Sequence, residues 1–291
     1  MKGSLIAKTE KAAMAGKVCV ITGATSGIGE ATAFALAGKG AATVIISRDE
    51  EKCRNTTARI KEETGNQDVA YLAADLSSQT QIRQVAEDYQ KKYQRLDVLV
   101  NNAGGFFWNR KESVDGIEMS FALNHLNYFL LTTALLDTIK DSAPSRIINV
   151  SSGAHRGQKM DFEDINLTNG YQAMKAYGRS KLANVLFTYE LSRRLEVTGV
   201  TANAVHPGFV DTNFAREGRS LFRYLIPLIQ LFARSPEEGA ETVVYLASSP
   251  EVEGVTGKYF KDKEPVKSSP ESHDPQSANR LWEISATMTE C

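Results

Sequence analysis

The sequence predicts an α/β fold, a single-domain, Rossmann-type, doubly wound parallel sheet with helices on both faces. Two observations predict this class: short β-branched runs alternate with longer charge-rich segments, and no internal repeat or linker divides the 291 residues. Such alternation is typical of buried parallel strands joined by helices. We divide the chain into an N-terminal extension (1–16), a main domain (17–260) and a C-terminal tail (261–291).

Six runs are predicted to be strands because they are short, apolar and rich in β-branched residues. They are residues 18–22, 43–47, 69–72, 98–100, 147–150 and 200–205.

Two of the intervening segments are predicted to be helices: 50–64, which ends at Gly65, and 79–93, whose apolar residues recur at helical spacing. The polar segment 261–280 is predicted to be an irregular loop or flexible tail. Residues 281–284 are then expected to form a short helix that docks on the body of the domain.

The composition excludes several classes of function. With 34 basic and 35 acidic residues, the net charge of -1 gives no electrostatic footprint for nucleic acid. Three cysteines without metal-ligand spacing indicate a reducing compartment and no metal site. Charges interrupt the first ten residues, and the apolar stretch 221–233 is too short to span a membrane. We therefore expect a cytoplasmic protein, with shallow attachment to a membrane surface left open.

A glycine-rich turn follows the first predicted strand and opens a helix. Glycines let the backbone approach a pyrophosphate closely, and the start of a helix offers free N–H donors to that anion. The turn therefore predicts a dinucleotide site, although its Gly-x-x-x-Gly-x-Gly spacing only approximates the usual fingerprint. The alternative is a tight turn without a ligand. The residues assigned to the site are Gly23, Thr25, Ser26, Gly27, Ile28 and Gly29.

The end of the second strand, Ser47-Arg48-Asp49, bears on the choice of cofactor. Arg48 could bind the 2′-phosphate of NADP, with Ser47 adding a hydrogen bond. Asp49 could instead bind the free 2′-hydroxyl of NAD, or cap the next helix. We predict NADP rather than NAD.

Tyr177 and Lys181 are four residues apart and therefore share one face of a helix. A nearby cation favours the ionised form of a phenol, whose pKa is ordinarily ~10. Lys181 is thus expected to lower the pKa of Tyr177 toward the range in which a proton-transfer catalyst works best. For an isolated pair, an inward-packed tyrosine and a solvated lysine are the more common explanation.

Further motifs occur in a fixed order with this pair, and together they resemble the short-chain dehydrogenase/reductase family over residues 17–257. These motifs are the glycine turn from Thr22, Asp75, Asn101-Asn102-Ala103-Gly104, Asn124, Ser151-Ser152, and His206-Pro207-Gly208 followed by Thr212. Within the family the chain is most similar to the retinol dehydrogenase-like branch. The segments that carry this second likeness are Asn124-His125-Leu126, Ala154-His155 and residues 180–187.

The resemblance implies reversible hydride transfer between NADPH and a carbonyl carbon. It implies that Tyr177 gives the proton in reduction and removes it in oxidation, while Lys181 lowers the tyrosine pKa and holds the nicotinamide ribose. Ser152, rather than Ser151, hydrogen-bonds the substrate oxygen, and Asn124 positions a water. The cofactor-binding positions it implies beyond the glycine turn and strand end are Asp75, Leu76, Asn102, Ala103, Gly104, Tyr177, Lys181, Pro207, Gly208, Val210 and Thr212.

The segment 213–234, together with Phe106-Phe107-Trp108, suggests a wide apolar mouth for a lipophilic aldehyde, ketone or alcohol. Three interpretations of 213–234 stay open: a substrate lid, a face packed on the body or on another subunit, and a contact with a membrane surface. The family often forms dimers or tetramers through helices that include the one bearing Tyr177, so a homo-oligomer also stays open.

The leading hypothesis is an NADP-dependent oxidoreductase acting on a lipophilic carbonyl or alcohol, such as retinal or retinol, with a place in lipid metabolism. One alternative is a steroid or xenobiotic carbonyl reductase. Another is a dinucleotide-binding sensor or scaffold without turnover, against which the intact Ser152, Tyr177 and Lys181 argue.

Overall fold

The computed structural model describes residues 13–208 and 234–291. The strands are β1 (Val18–Thr22), β2 (Ala42–Ser47), β3 (Val69–Ala73), β4 (Val98–Asn101), β5 (Ser145–Val150), β6 (Val200–His206), β7 (Tyr259–Lys261) and β8 (Glu264–Pro265). The α-helices are α1 (Gly27–Gly38), α2 (Glu50–Thr64), α3 (Gln79–Lys92), α4 (Met119–Phe121), α5 (Asn127–Ala134), α6 (Leu136–Asp141), α7 (Ala173–Arg194), α8 (Pro236–Ser248) and α9 (Pro275–Met288). A π-helix (Ala122–Leu126) lies between α4 and α5, and 3-10 turns occupy Gly153–His155, Pro250–Val252 and Pro270–His273.

The strands form one sheet in the order β3-β2-β1-β4-β5-β6-β7-β8. All neighbouring pairs are parallel except β7 and β8, which are antiparallel. The chain order reverses between β1 and β4, which is the switch point where open α/β sheets leave a crevice for ligands. The predicted doubly wound α/β class is confirmed, and each of the six predicted strands is present.

Both faces of the sheet are covered, which explains why strands such as β1 and β4 are largely apolar. Val20 and Leu99 point to one face and pack in a core with Phe129 of α5. Ile21, the next residue of β1, points to the other face and packs with Ala33 of α1. Neighbouring residues of one strand thus serve two cores, one on each side of the sheet.

Helix α2 begins and ends where the sequence predicts. The Asp49 side chain accepts a hydrogen bond from the Lys52 N–H at its start, 3.0 Å away. Gly65 ends the helix in the left-handed conformation at φ 76°, which glycine adopts without a steric penalty.

The prediction for the C-terminal residues is partly correct: a helix that includes 281–284 docks on the body of the domain, but 261–280 is not an irregular loop. In place of an irregular 261–280 and a short helix at 281–284, the structure has strand β8, a 3-10 turn and the 14-residue helix α9. Asp274 caps this helix by accepting from the Gln276 and Ser277 N–H groups, and Pro275 occupies its first turn. The helix buries only one side, at Ala278, Leu281 and Ser285, so its polar composition concealed it.

Helix α9 packs against α7 and extends the core on that face of the sheet. The Trp282 ring lies 5.0 Å from that of Phe129 and 5.8 Å from that of Phe187, between ring centroids. The Arg194 guanidinium lies over the same indole, 4.2 Å from its centroid. Among the helices described here, none is both long enough and apolar enough to cross a membrane.

Candidate active site

The glycine turn is held against the end of β4 by close backbone contacts. Gly23 has φ 66°, and a Cβ at this position would lie 2.8 Å from the Ala103 Cα. A Cβ on Gly29 would lie 2.4 Å from the Gly23 carbonyl oxygen. The Asn102 side chain donates to the Thr22 carbonyl at 2.8 Å, which fixes the turn from the other side. Glycine is therefore required here by packing as well as by the predicted approach of a pyrophosphate.

The predicted ribose-binding residues lie at the end of β2. Ser47 is buried and accepts a hydrogen bond from the Thr25 hydroxyl at 3.3 Å, so the glycine turn and the strand end are joined. Arg48 is exposed, and no described residue forms an ion pair with it. Asp49 is occupied as the cap of α2, and the hydrogen bond from the Lys52 N–H lowers the pKa of its carboxyl group.

The remaining predicted cofactor positions lie beyond the ends of β3, β4 and β6. The Asp75 carboxylate accepts from the backbone and side chain of Ser77, at 2.9 and 2.8 Å, and Leu76 is buried beside it. Pro207 and Gly208 follow β6, and Gly208 has φ 87°. Val210, Thr212 and residues 213–233 of the predicted lid lie outside the described residues.

Asn124 lies in the π-helix between α4 and α5, a distortion that occurs frequently at functional sites. Its side-chain oxygen accepts from the Gly105 N–H at 2.7 Å, and its amide donates to the Gly105 carbonyl at 3.0 Å. The amide also donates to the Ser180 hydroxyl of α7 at 2.9 Å. Asn124 thus ties the segment after β4 to the helix that carries Tyr177.

Gly104 lies close to both Asn124 and Lys181. A Cβ at Gly104 would lie 2.9 Å from the Asn124 Oδ1 atom and 3.6 Å from the Lys181 Nζ atom. Glycine is therefore required at this position, because a side chain would collide with the Asn124 amide at the carboxyl ends of the strands, where a dinucleotide is expected.

Ser152 and Tyr177 are brought together, whereas Ser151 points elsewhere. The Ser152 hydroxyl lies near enough to the Tyr177 phenol to lower its pKa, as a hydrogen-bond donor would. The Ser151 hydroxyl is buried and donates to the Lys181 carbonyl at 2.8 Å, so it supports helix α7. Of the two adjacent serines, Ser152 is the one placed beside the tyrosine.

The expected lowering of the Tyr177 pKa by Lys181 is not found. Burial raises the pKa of Tyr177 to about 12, and the hydrogen bond from Ser152 only partly opposes this. Burial also lowers the pKa of Lys181 to about 7. The Lys181 ammonium lies 5.8 Å from the centre of the tyrosine ring and donates to the Val150 carbonyl at 3.0 Å. Desolvation of both groups outweighs the attraction that their spacing suggested, and the phenol keeps its proton at neutral pH.

Aromatic side chains form a wall beside the phenol, as the sequence suggests for the substrate mouth. The Phe106 ring meets the Tyr177 ring edge-on at 5.7 Å and the Trp108 ring at 4.9 Å, between centroids. The Tyr171 hydroxyl donates to the Phe107 carbonyl at 2.7 Å, which fixes the backbone of this wall.

Two features of the site were not predicted from the sequence, although Asn101 and His155 had been named in its motifs. One is a buried chain of amides and hydroxyls in which Asn101 donates to Thr132 and Asn149, and Asn149 donates to Thr188. The other is His155, which had been noted only as a mark of one family branch. Its ring contacts the backbone of Ser152 at 2.6 Å. The buried chain could have been suspected from Asn101 and Asn149, which are polar residues near the ends of apolar strands.

Comparisons with known proteins agree with this geometry. The family model described as short chain dehydrogenase matches residues 17–220. The chain is 43% identical to human retinol dehydrogenase 13 over 284 residues, which cover 96% of this chain and 86% of that protein. It is also 43% identical to mouse retinol dehydrogenase 14 over 289 residues, covering 94% and 86% of the two chains.

Solved structures show the same fold. An uncharacterised protein of Mycobacterium paratuberculosis superposes with a TM-score of 0.77 at 31% identity, covering 95% of this chain and 94% of its own. The RhlG protein of Pseudomonas aeruginosa, in a structure described as an NADP active-site complex, has a TM-score of 0.69 at 30% identity. That match covers 86% of this chain and 96% of RhlG.

Proposed function

The chain belongs to the short-chain dehydrogenase/reductase family, in its retinol dehydrogenase-like branch, and is an oxidoreductase; we propose that it transfers hydride between NADP(H) and a lipophilic carbonyl or alcohol. The observation that carries the proposal is the pairing of the Ser152 hydroxyl with a protonated Tyr177 phenol, beside the buried Lys181. A substrate carbonyl oxygen next to these two hydroxyls would accept a hydrogen bond from each of them.

The chemistry of the residues supports this reaction. When bound, NADPH supplies the hydride, and negative charge develops on the substrate oxygen. The Tyr177 phenol, which burial keeps protonated, gives its proton to that oxygen, and Ser152 donates a hydrogen bond to it. The loss of one such donor typically lowers kcat by about 10²–10³-fold. A protonated Lys181 then stabilises the phenolate left on Tyr177. Asn124 holds the Gly105 backbone and Ser180 in place around these groups.

NADP is favoured over NAD by the end of strand β2. The carboxylate that would bind a free 2′-hydroxyl belongs to Asp49, and it is engaged as the cap of α2. Arg48 is exposed next to it and could bind a 2′-phosphate. The similar RhlG structure is described as an NADP complex, which supports the same choice.

A lipophilic substrate is favoured by the aromatic wall of Phe106 and Trp108 beside Tyr177. The printed names of the relatives suggest retinol or retinal as the first candidates. Contact of residues 213–234 with a membrane surface, cytoplasmic location and assembly into a homo-oligomer stay predictions. A steroid or xenobiotic carbonyl reductase is the alternative within the same chemistry.

The proposal is tested by following NADPH oxidation at its absorbance band with retinal, a long-chain aliphatic aldehyde, a steroid ketone and a small polar aldehyde. We expect the apolar aldehydes to be reduced with a much higher kcat/KM than the polar one, and Ser152→Ala to lose about 10²-fold or more in kcat. Turnover confined to the polar aldehyde would contradict the substrate class, and an unimpaired Ser152→Ala variant would contradict the site.

A further inference from the structure

The loop that carries Ser152 is fixed by a buried histidine. His155 closes the 3-10 turn that Ser152 begins, and its side chain is fully buried. The Nδ1 atom of His155 lies 2.6 Å from the Ser152 carbonyl oxygen. On the opposite side of the ring, the Ser269 N–H donates to the Nε2 atom at 3.0 Å.

The Tyr259 hydroxyl also approaches the Nδ1 atom, but at 3.5 Å it is the longest of the three contacts. The two shorter contacts determine where the imidazole carries its proton. A carbonyl oxygen can only accept a hydrogen bond, and a backbone N–H can only donate one. The Nδ1 atom of His155 must therefore carry the hydrogen, and the Nε2 atom must offer its lone pair. Burial lowers the pKa of His155, in agreement with a neutral ring.

The segment that contacts the Nε2 atom of His155 is hydrogen-bonded to helix α7, which also carries Tyr177 and Lys181. Ser268, next to Ser269, hydrogen-bonds the Tyr189 hydroxyl of α7 at 2.7 Å and the Ser272 hydroxyl at 2.6 Å. The backbone from 268 to 272 is therefore tied to the catalytic helix. His155 connects this segment to the Ser152 loop.

A second histidine holds the same loop from the other side. The Gly153 N–H donates to the Nδ1 atom of His206 at 3.3 Å. A Cβ at Gly153 would lie 3.3 Å from the His206 Nε2 atom, so the ring packs directly on the glycine. The peptide group between Ser152 and Gly153 is thus held by two imidazoles: His155 contacts its carbonyl oxygen, and His206 accepts a hydrogen bond from its N–H.

We propose that His155 is a positioning residue for Ser152, through which the C-terminal segment at Ser268–Ser269 holds the catalytic hydroxyl at its distance from Tyr177. The inference rests on the proposed function, in which Ser152 hydrogen-bonds the substrate oxygen. His155 holds the backbone carbonyl of Ser152. Because the position of the Ser152 hydroxyl depends on that backbone, His155 also determines where the hydroxyl lies. A displacement of ~1 Å in such a group can lower the rate by about 10²-fold.

Three substitutions separate the two hydrogen bonds of the ring. In His155→Asn the amide nitrogen takes the place of Nδ1 and can still donate to Ser152. In His155→Gln the amide oxygen takes the place of Nε2 and can still accept from Ser269. His155→Phe fills the volume but makes neither bond. As a control, Tyr89→Phe removes another buried hydrogen bond to a backbone carbonyl, that of Arg95, far from the site.

We expect kcat to fall by ~10–100-fold in the Gln and Phe variants and to stay within ~3-fold of the wild type in the Asn variant. NADPH affinity should be unchanged in all three, and Tyr89→Phe should lower the unfolding temperature without changing kcat. With NADPH deuterated at the transferred position, the isotope effect on kcat should increase in the Gln and Phe variants, because hydride transfer becomes the slow step. A simple loss of folded enzyme would leave that isotope effect unchanged.

A wild-type kcat in the Gln and Phe variants, or equal losses in all three, would overturn the inference. Nitrogen NMR of the imidazole in the wild-type protein tests it without turnover: we expect the Nδ1–H tautomer of His155, and an Nε2–H tautomer or a charged ring contradicts it. If Ser152→Ala keeps full turnover, the proposed function fails instead. If Ser152→Ala is inactive while His155→Phe is fully active, only the inference fails.

Discussion

Arg48→Ala is expected to weaken the binding of NADPH while leaving that of NADH almost unchanged. Arg48 is exposed at the end of β2, and no described residue competes for its guanidinium group. A hydrogen bond to a charged group contributes about 1.5–3 kcal/mol, and the exposure of Arg48 places its contribution nearer about 1–2 kcal/mol. Since about 1.4 kcal/mol is tenfold in affinity, the Kd for NADPH should rise by ~5–30-fold.

The measurement is a fluorescence titration of each nucleotide at low and at high salt. Screening weakens exposed charge pairs, so wild-type affinity for NADPH should fall with salt more steeply than that of Arg48→Ala. Arg54→Ala is the matched control, because Arg54 is an exposed arginine on the adjoining helix α2. It should leave both affinities unchanged.

Asp49 provides the opposing test. Asp49→Ala removes the cap of α2 and should lower the free energy of unfolding by about 1 kcal/mol, whereas Asp49→Asn keeps a capping oxygen. Neither substitution should change the preference between the two nucleotides. Equal losses of NADPH and NADH affinity in Arg48→Ala, or a selective loss of NADH binding in Asp49→Ala, would refute the assignment.

Three further outcomes are expected. Burial lowers the pKa of Lys181 to about 7, whereas an unfolded lysine titrates near ~10.4. Between these two pKa values the folded state binds fewer protons than the unfolded state, so the free energy of unfolding rises with pH. Lys181→Met should flatten this rise and increase the free energy of unfolding by a few kcal/mol at neutral pH, as measured by urea titration. The same substitution should abolish turnover. Trp282→Ala should lower the free energy of unfolding by about 3 kcal/mol, because the indole packs on Phe129 and Phe187; a loss below about 1 kcal/mol would show that α9 contributes little. Asn124→Ala leaves Gly105 and Ser180 without their shared partner, so kcat should fall by about 10-fold or more with folding retained; an unchanged kcat would remove Asn124 from the site.

Strands β1 and β2 were predictable because they are buried along most of their length and contain runs of β-branched residues. Val18–Thr22 was predicted with the bounds that the structure shows. Strand β8, at the edge of the sheet, and its neighbour β7 were not, since two and three residues are too few for a pattern to emerge. Helix α9 was predicted only at residues 281–284, because its buried side is narrow and the residues that cap it are also common in loops.

At the candidate site, the residues could be named from the sequence, but the effect of burial on their pKa values could not. The spacing of Tyr177 and Lys181 indicates proximity, but desolvation depends on what the rest of the chain places around them. The partners of Asn124 were likewise not predictable, because Gly105 and Ser180 lie 19 and 56 residues away in the sequence. His155 could not be assigned to Ser152 from the sequence, because its second partner, Ser269, lies 114 residues further along the chain.

Tyr177→Phe is the most direct test of proton donation by the Tyr177 phenol, because it removes only the phenolic oxygen and keeps the ring that packs against Phe106. Turnover of apolar aldehydes and NADPH affinity should be measured on the same preparation. We expect kcat to fall by at least about 10²-fold while the Kd for NADPH stays within about twofold of the wild type. A Tyr177→Phe variant that reduces these aldehydes at the wild-type rate would contradict it.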